Sequence, residues 1–144
     1  MQPGQGQPQV VPAHPRVVII HGARDVALTL ELAAGRPVAL LSARGAPAYL
    51  GVAGFAALLA PHGALGLGIL DAADAPGHAL AGLRAGFAQV VLAPRVPGFA
   101  ALEALALEMG ARLLPAAPHA LDLALVDLAK PKGVQHLASW LDLA

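Results

Sequence analysis

The sequence predicts an open, doubly wound α/β domain of three layers, with about five parallel strands, a possible sixth strand and a C-terminal helix. Three observations carry this expectation. Short, continuously apolar β-type runs alternate with longer Ala/Leu-rich runs of helical length, the pattern of parallel strands buried on both faces and joined by crossover helices. Helix, glycine, one to three residues and strand recur in that order at Gly35, Gly86 and Gly110, and connections this short give right-handed parallel units. Of the 144 residues, 57% are apolar and 12% charged, with no formal net charge. This is the reverse of the composition of a disordered chain, so a packed core is expected.

Residues 1–15 are rich in Gln, Pro and Gly and are expected to form a flexible tail, leaving residues 16–144 as one domain. Strands are expected at 17–20, 38–41, 67–70, 90–92 and 112–114, each an apolar run. Helices are expected at 25–34, 48–60, 75–85 and 98–109. Pro47, Pro76 and Pro97 fall where a first helical turn tolerates proline, and the three glycines fall where a helix ends in the left-handed conformation. Residues 121–129 suit either a sixth strand at a sheet edge or a short helix, because Asp122 and Asp127 fit neither period. Over 134–143, Val134, Leu137, Ala138 and Leu141 keep the i, i+3, i+4, i+7 spacing of an amphipathic helix docked through Leu137, Trp140 and Leu141. Together these elements describe a flavodoxin-like or Rossmann-like arrangement with helices on both faces of the sheet.

Composition also excludes functions. Without cysteine there are no disulfides, thiol nucleophiles or cysteine-ligated metals. The nine basic residues are scattered singly except for Lys130 and Lys132, and aromatics are 3% of the chain. No nucleic-acid partner is therefore expected, for want of both a basic face and a stacking platform. Mean hydropathy is high, at +0.65, and no charged residue occurs from 45 to 70. That run is broken by Pro47, Gly51, Gly54, Pro61, Gly63, Gly66 and Gly68. Its best helical stretch falls short of the roughly 20 residues that span a bilayer, so no membrane partner is expected. The first basic residue is Arg16 and the apolar run after it is too short for a signal peptide, which makes a cytoplasmic location the expectation.

In an open α/β sheet, ligands bind beyond the carboxyl ends of the strands. The residues expected there are His21, Gly22 and Arg24, then Ser42 and Arg44, then Asp71 and Asp74, then Arg95, and finally 115–119 with His119. Asp71, Asp74 and His78 are candidates for acid–base work or for a divalent metal, because two carboxylates and an imidazole fall within eight residues at a strand end. They also suit structural roles, with Asp74 as a helix N-cap, Asp71 holding the turn and His78 exposed on the first helical turn. His21-Gly22 would let a ligand approach backbone at a helix N-terminus; alternatively, His21 would bond a loop carbonyl. Arg24, Arg44 and Arg95 would clamp a phosphate or carboxylate, or pair with Asp25, Asp71 and Asp74.

No G-x-G-x-x-G follows the first strand and no G-x-x-x-x-G-K-[ST] occurs, which removes dinucleotide and P-loop readings. Neither Ser42 nor Ser139 stands in a G-x-S-x-G elbow, so a hydrolase triad is not expected. The sequence names no cofactor. Asp71, in Ile69-Leu70-Asp71 followed by Ala75-Pro76-Gly77, resembles the phosphoacceptor position of response-regulator receiver domains. That family has acidic residues after its first strand and a lysine after its fifth, where this chain has His21-Gly22 and Pro115-Ala116. The resemblance implies a shared fold; without the acidic pair it carries over neither a magnesium site nor phosphotransfer.

Three functions are consistent with these residues. The first is a binding or regulatory module with a polar site at the strand ends, which takes a small anionic ligand. The second is a small hydrolase or acid–base enzyme using Asp71, Asp74 and His78. The third is a structural partner without a small-molecule site. The second and fourth helices carry few or no charges, so a homodimer or higher homo-oligomer is expected, with a twofold contact through the second or the C-terminal helix.

Overall fold

A computed structural model of the chain describes residues 15–142. The expected tail therefore lies, except for Pro15, outside the described residues. The elements run β1 (Arg16–Ile19), α1 (Ala23–Ala33), β2 (Val38–Leu41), α2 (Val52–Leu59), β3 (Gly68–Asp71), α3 (Pro76–Arg84), β4 (Gln89–Val91), α4 (Phe99–Glu108), β5 (Arg112–Leu114), β6 (Leu121–Asp122) and α5 (Pro131–Asp142). All six strands form one parallel sheet in the order β5-β4-β3-β2-β1-β6. The expected open α/β domain is present, with the sixth strand and the C-terminal helix. Gly35, Gly86 and Gly110 have φ of 83°, 99° and 76°, the left-handed geometry expected where helices end.

One helix expectation is corrected and one open alternative is resolved. The helix expected over 48–60 is interrupted: a 3-10 turn at Ala46–Ala48 is followed by Gly51 at φ 82° and ψ 152°, and α2 starts only at Val52. That conformation lies outside the helical basin, so Gly51 breaks the run and Leu50 folds back over Gly54. The segment 121–129, read as strand or helix, is a two-residue strand followed by a 3-10 turn at Leu123–Leu125. Asp122 settles the outcome, since its carboxylate accepts the Ala124 N–H at 3.0 Å and turns the chain out of the sheet.

Alternate strand residues feed two cores. Val18, Leu40, Leu70, Val90 and Leu113 pack with Val26, Phe55, Leu59, Leu83, Ala106, Leu137 and Leu141, so every helix contributes to this face. On the other face, Val17, Ala39, Leu41, Ile69 and Val91 cluster with Ile19, Leu114 and Ala120 packed against them, and no helical residue joins them among those described. The expectation of helices on both faces is thereby corrected, and the reason is topological. β1 to β5 stand side by side in chain order, and successive right-handed crossovers in one direction place every helix on the same face.

The return from β5 to β6 crosses the whole sheet. It spans five interstrand spacings, about 24 Å, and the seven Cα steps from Leu114 to Leu121 reach about 23–25 Å at most. After a bend at 115–116, residues 117–120 carry the chain across with little slack, helped by Pro118, which holds itself and its predecessor extended. This strap is the third layer, opposite the helices, and Ala120 packs on the second core.

Candidate functional site

The carboxyl edge of the sheet divides into two polar groups. The first surrounds the end of β3. Asp71 is its last residue and is 5% exposed. Its N–H donates to Ser42 Oγ at 2.9 Å, its carbonyl accepts the Gly45 N–H at 3.1 Å, and its Oδ1 accepts the Ala73 N–H at 2.9 Å. Ala73 has a φ of 54°, a left-handed conformation in which a side chain is strained. The turn keeps it there from both sides, because the Ala73 carbonyl also accepts the Ala93 N–H at 2.7 Å. Backbone bonds to the chain after β2 and to β4 and the residues after it hold this turn around the Asp71 carboxyl.

Beside Asp71 lies a cavity of about 200 Å³, lined by Arg44, Asp71, Ala73, Val91, Ala93 and strap residues 115–117. Burial pushes the Asp71 carboxyl above its ordinary value. The Ala73 N–H bond and the nearby Arg44 charge act in the opposite direction without cancelling that effect. Arg44 is in none of the ion pairs among the described residues, which join His21 to Asp122, Arg36 to Asp142, Arg95 to Asp74 and Lys130 to Asp127. One guanidinium and one carboxyl thus share an otherwise apolar hollow without closing on each other.

The second group lies at the ends of β1 and β6. His21 Nε2 and Asp122 Oδ1 are 2.6 Å apart, and the His21 N–H donates to Asp25 Oδ2 at 2.8 Å. The sequence expectation that His21 bonds a loop carbonyl is corrected: its ring meets a carboxylate. Partial burial pushes the Asp122 carboxyl upward, but the hydrogen bonds from His21 and the Ala124 N–H, with the His21 charge, leave it below its ordinary value. Arg24 donates to the Leu128 carbonyl at 3.1 Å, tying the start of α1 to the chain beyond β6.

The other sequence candidates fall as follows. Ser42 is buried, and its hydroxyl accepts from Asp71 and donates to the Ala43 carbonyl, so it stitches β2 to β3. Asp74 does not cap α3, whose N-cap is Ala75; it makes an exposed pair with Arg95 at 3.4 Å. Asp74 ends the turn at 73–74, and the extended Ala75 stands between it and the first helical residue, Pro76. His78 is on the first turn of α3. Asp71, Asp74 and His78 form no metal-holding group, and no set of three or more His, Cys, Asp or Glu that could hold one exists among the described residues. Gly22 is the N-cap of α1 and supplies no side chain to it. His119 lies on the strap, edge-on to Trp140 with ring centroids 5.4 Å apart.

Sequence reasoning missed Asp122 and Trp140 as polar partners. The Trp140 Nε1–H donates to the Val17 carbonyl at 2.9 Å, extending the bonding along β1 past the two-residue β6. The Arg16 guanidinium lies 4.9 Å over the same ring. The one available signal was a carboxylate inside an apolar run, at Leu121-Asp122-Leu123.

A larger hollow of about 370 Å³ lies between the loop after β6 and the start of α5, lined among others by Leu125, Asp127, Lys130, Lys132 and His136. It holds none of the sequence candidates and shares no lining residue with the Asp71 cavity. No helix among the described residues is long and apolar enough to cross a membrane. Comparison with protein families, curated proteins and solved structures finds no match to this chain.

Proposed function

We propose that the domain is a ligand-binding or regulatory module, and that its site is the cavity between Arg44 and Asp71, where a small anionic molecule binds. One observation carries the reading: a guanidinium outside every ion pair among the described residues lines a hollow at the carboxyl edge, under the strap and above the ends of β3 and β4. Ligands of open α/β sheets bind at that edge, and a guanidinium matches carboxylate or phosphate with two parallel hydrogen bonds. At about 200 Å³ the hollow is smaller than the roughly 300–1,000 Å³ of drug-sized sites, which favours a small metabolite. Of the seven residues placed at a ligand site from sequence, Arg44 lines this hollow and Ser42 supports it. His21, Gly22, Arg24, Arg95 and His119 are not among its lining residues.

The test is a thermal-shift screen of phosphate, acetate, propionate and larger carboxylates at neutral pH. Stabilisation by a carboxylate or phosphate, lost in Arg44→Ala, supports the module; a flat response to all of them, zwitterionic carboxylates included, removes it.

We also propose self-association. Tyr49 and Leu50, just before α2, and Leu107 and Met109, at the end of α4, are large apolar side chains in water. Light scattering at micromolar concentration should give at least a dimer, and a monomer would remove the proposal.

A further inference from the structure

Resting on the reading that the Arg44 cavity binds a small anion, we propose that its ligand is a small apolar α-amino acid, held by its carboxylate on Arg44 and by its ammonium on Asp71. The cavity contains one guanidinium and one carboxyl, and its remaining lining is alanine, valine and proline. A ligand with only a negative charge would satisfy Arg44 and place that charge beside the Asp71 carboxyl, an unfavourable contact. An adjacent ammonium removes the conflict, because it donates to the carboxyl that repels the anion.

The hydrogen bonds already made by Asp71 fit this division. Oδ1 is engaged by the Ala73 N–H, which fixes the carboxyl plane and leaves Oδ2 to accept from a ligand. The backbone of the same residue is held by Ser42 and Gly45, so the acceptor is in place before a ligand arrives. Burial works against ionisation of Asp71, and a bound ammonium supplies the positive partner that an ionised carboxylate needs there. The apolar remainder sets the side chain. Val91, Ala93, Ala116 and Ala117 offer no hydrogen-bonding side chain, and the volume limits the guest to a short aliphatic group such as that of alanine or valine.

The experiment is calorimetric titration of the full chain at neutral pH with L-alanine, L-valine, propionate, isobutyrate and lactate. Both amino acids should bind at least about tenfold more tightly than the acids that lack nitrogen, the factor expected of one charge-assisted hydrogen bond. Asp71→Asn, whose amide oxygen can still accept from Ala73, should bring amino acid and matched acid to within about threefold of each other. Arg44→Ala should weaken both. Equal binding of alanine, propionate and lactate by the wild-type chain overturns the amino-acid assignment while leaving the anion site standing. If none of the five nor phosphate binds, the site itself is overturned. The wild-type comparison decides the matter even if Asp71→Asn does not fold.

Discussion

His21, just beyond β1, and Asp122, the last residue of β6, are 2.6 Å apart at Nε2 and Oδ1 and 101 positions apart in sequence. With the Arg24 bond to Leu128 and the Trp140 bond to Val17, this pair secures an edge strand that has only two residues of its own. Side chains from β1, α1 and α5 thereby supply what a longer backbone ladder would otherwise provide.

Because 35% of the His21 side chain and 34% of that of Asp122 are exposed, solvent screening limits the pair to about 0.5–1 kcal/mol. A double-mutant cycle of His21→Ala and Asp122→Ala by chemical denaturation should return a coupling of that size, and zero coupling would contradict the attribution. The pH dependence has a definite sign. Asp122 lies below its ordinary value of 3.8 in the folded chain, so its contribution is present above that value and is lost as pH falls through the lower folded one. Asp122→Asn should flatten this part of the acid limb.

Asp71 has the opposite sign. Its folded carboxyl lies above the ordinary value of 3.8, so folding is favoured with Asp71 protonated and becomes less favourable as pH rises through the folded value. Asp71→Asn keeps an acceptor for Ala73 and removes the charge. The variant should melt higher than wild type at pH 7, with a gain that shrinks toward pH 4. A loss of stability at pH 7 would mean that the carboxylate is structurally required.

Thr29 is fully buried on α1, and its hydroxyl finds no hydrogen-bond partner. Valine has nearly the same shape and no polar atom to desolvate. Thr29→Val should raise stability by about 1 kcal/mol, measured by urea unfolding with an unchanged m-value.

A Cβ on Gly133 would stand 1.9 Å from the Asp127 carbonyl oxygen and 2.6 Å from its carbon. These are backbone atoms, so no side-chain rotation relieves the clash. Gly133→Ala should cost at least about 2 kcal/mol and shift the amide resonances of residues 127–133. An unaltered melting temperature would show that the loop and α5 can move apart.

The fold was legible because its strands are buried on both faces and its helices end on glycine, two signals that need no knowledge of distant neighbours. β2 at Val38–Leu41 and β5 at Arg112–Leu114 fall where their apolar runs predict. The break before α2 was not legible, because Gly51 in an apolar run reads equally as a tolerated helical glycine until its φ is known. At the site, Arg44 and Asp71 were marked by their place after strands. What brings them to one cavity is the strap, and the crossing of the sheet by residues 115–120 depends on strand order, which local sequence does not encode. The pairing of His21 with Asp122 was hidden for the same reason.

That strap also acts as a gauge of sheet width. Its six residues are just long enough to reach from one edge of the sheet to the other, so β6 can lie beside β1 with β5 in place only while no more than four strands stand between β5 and β6. An extra strand in the series would leave the link too short, and a missing one would leave it slack. The strap thus sets an upper limit on the width of the sheet that it crosses.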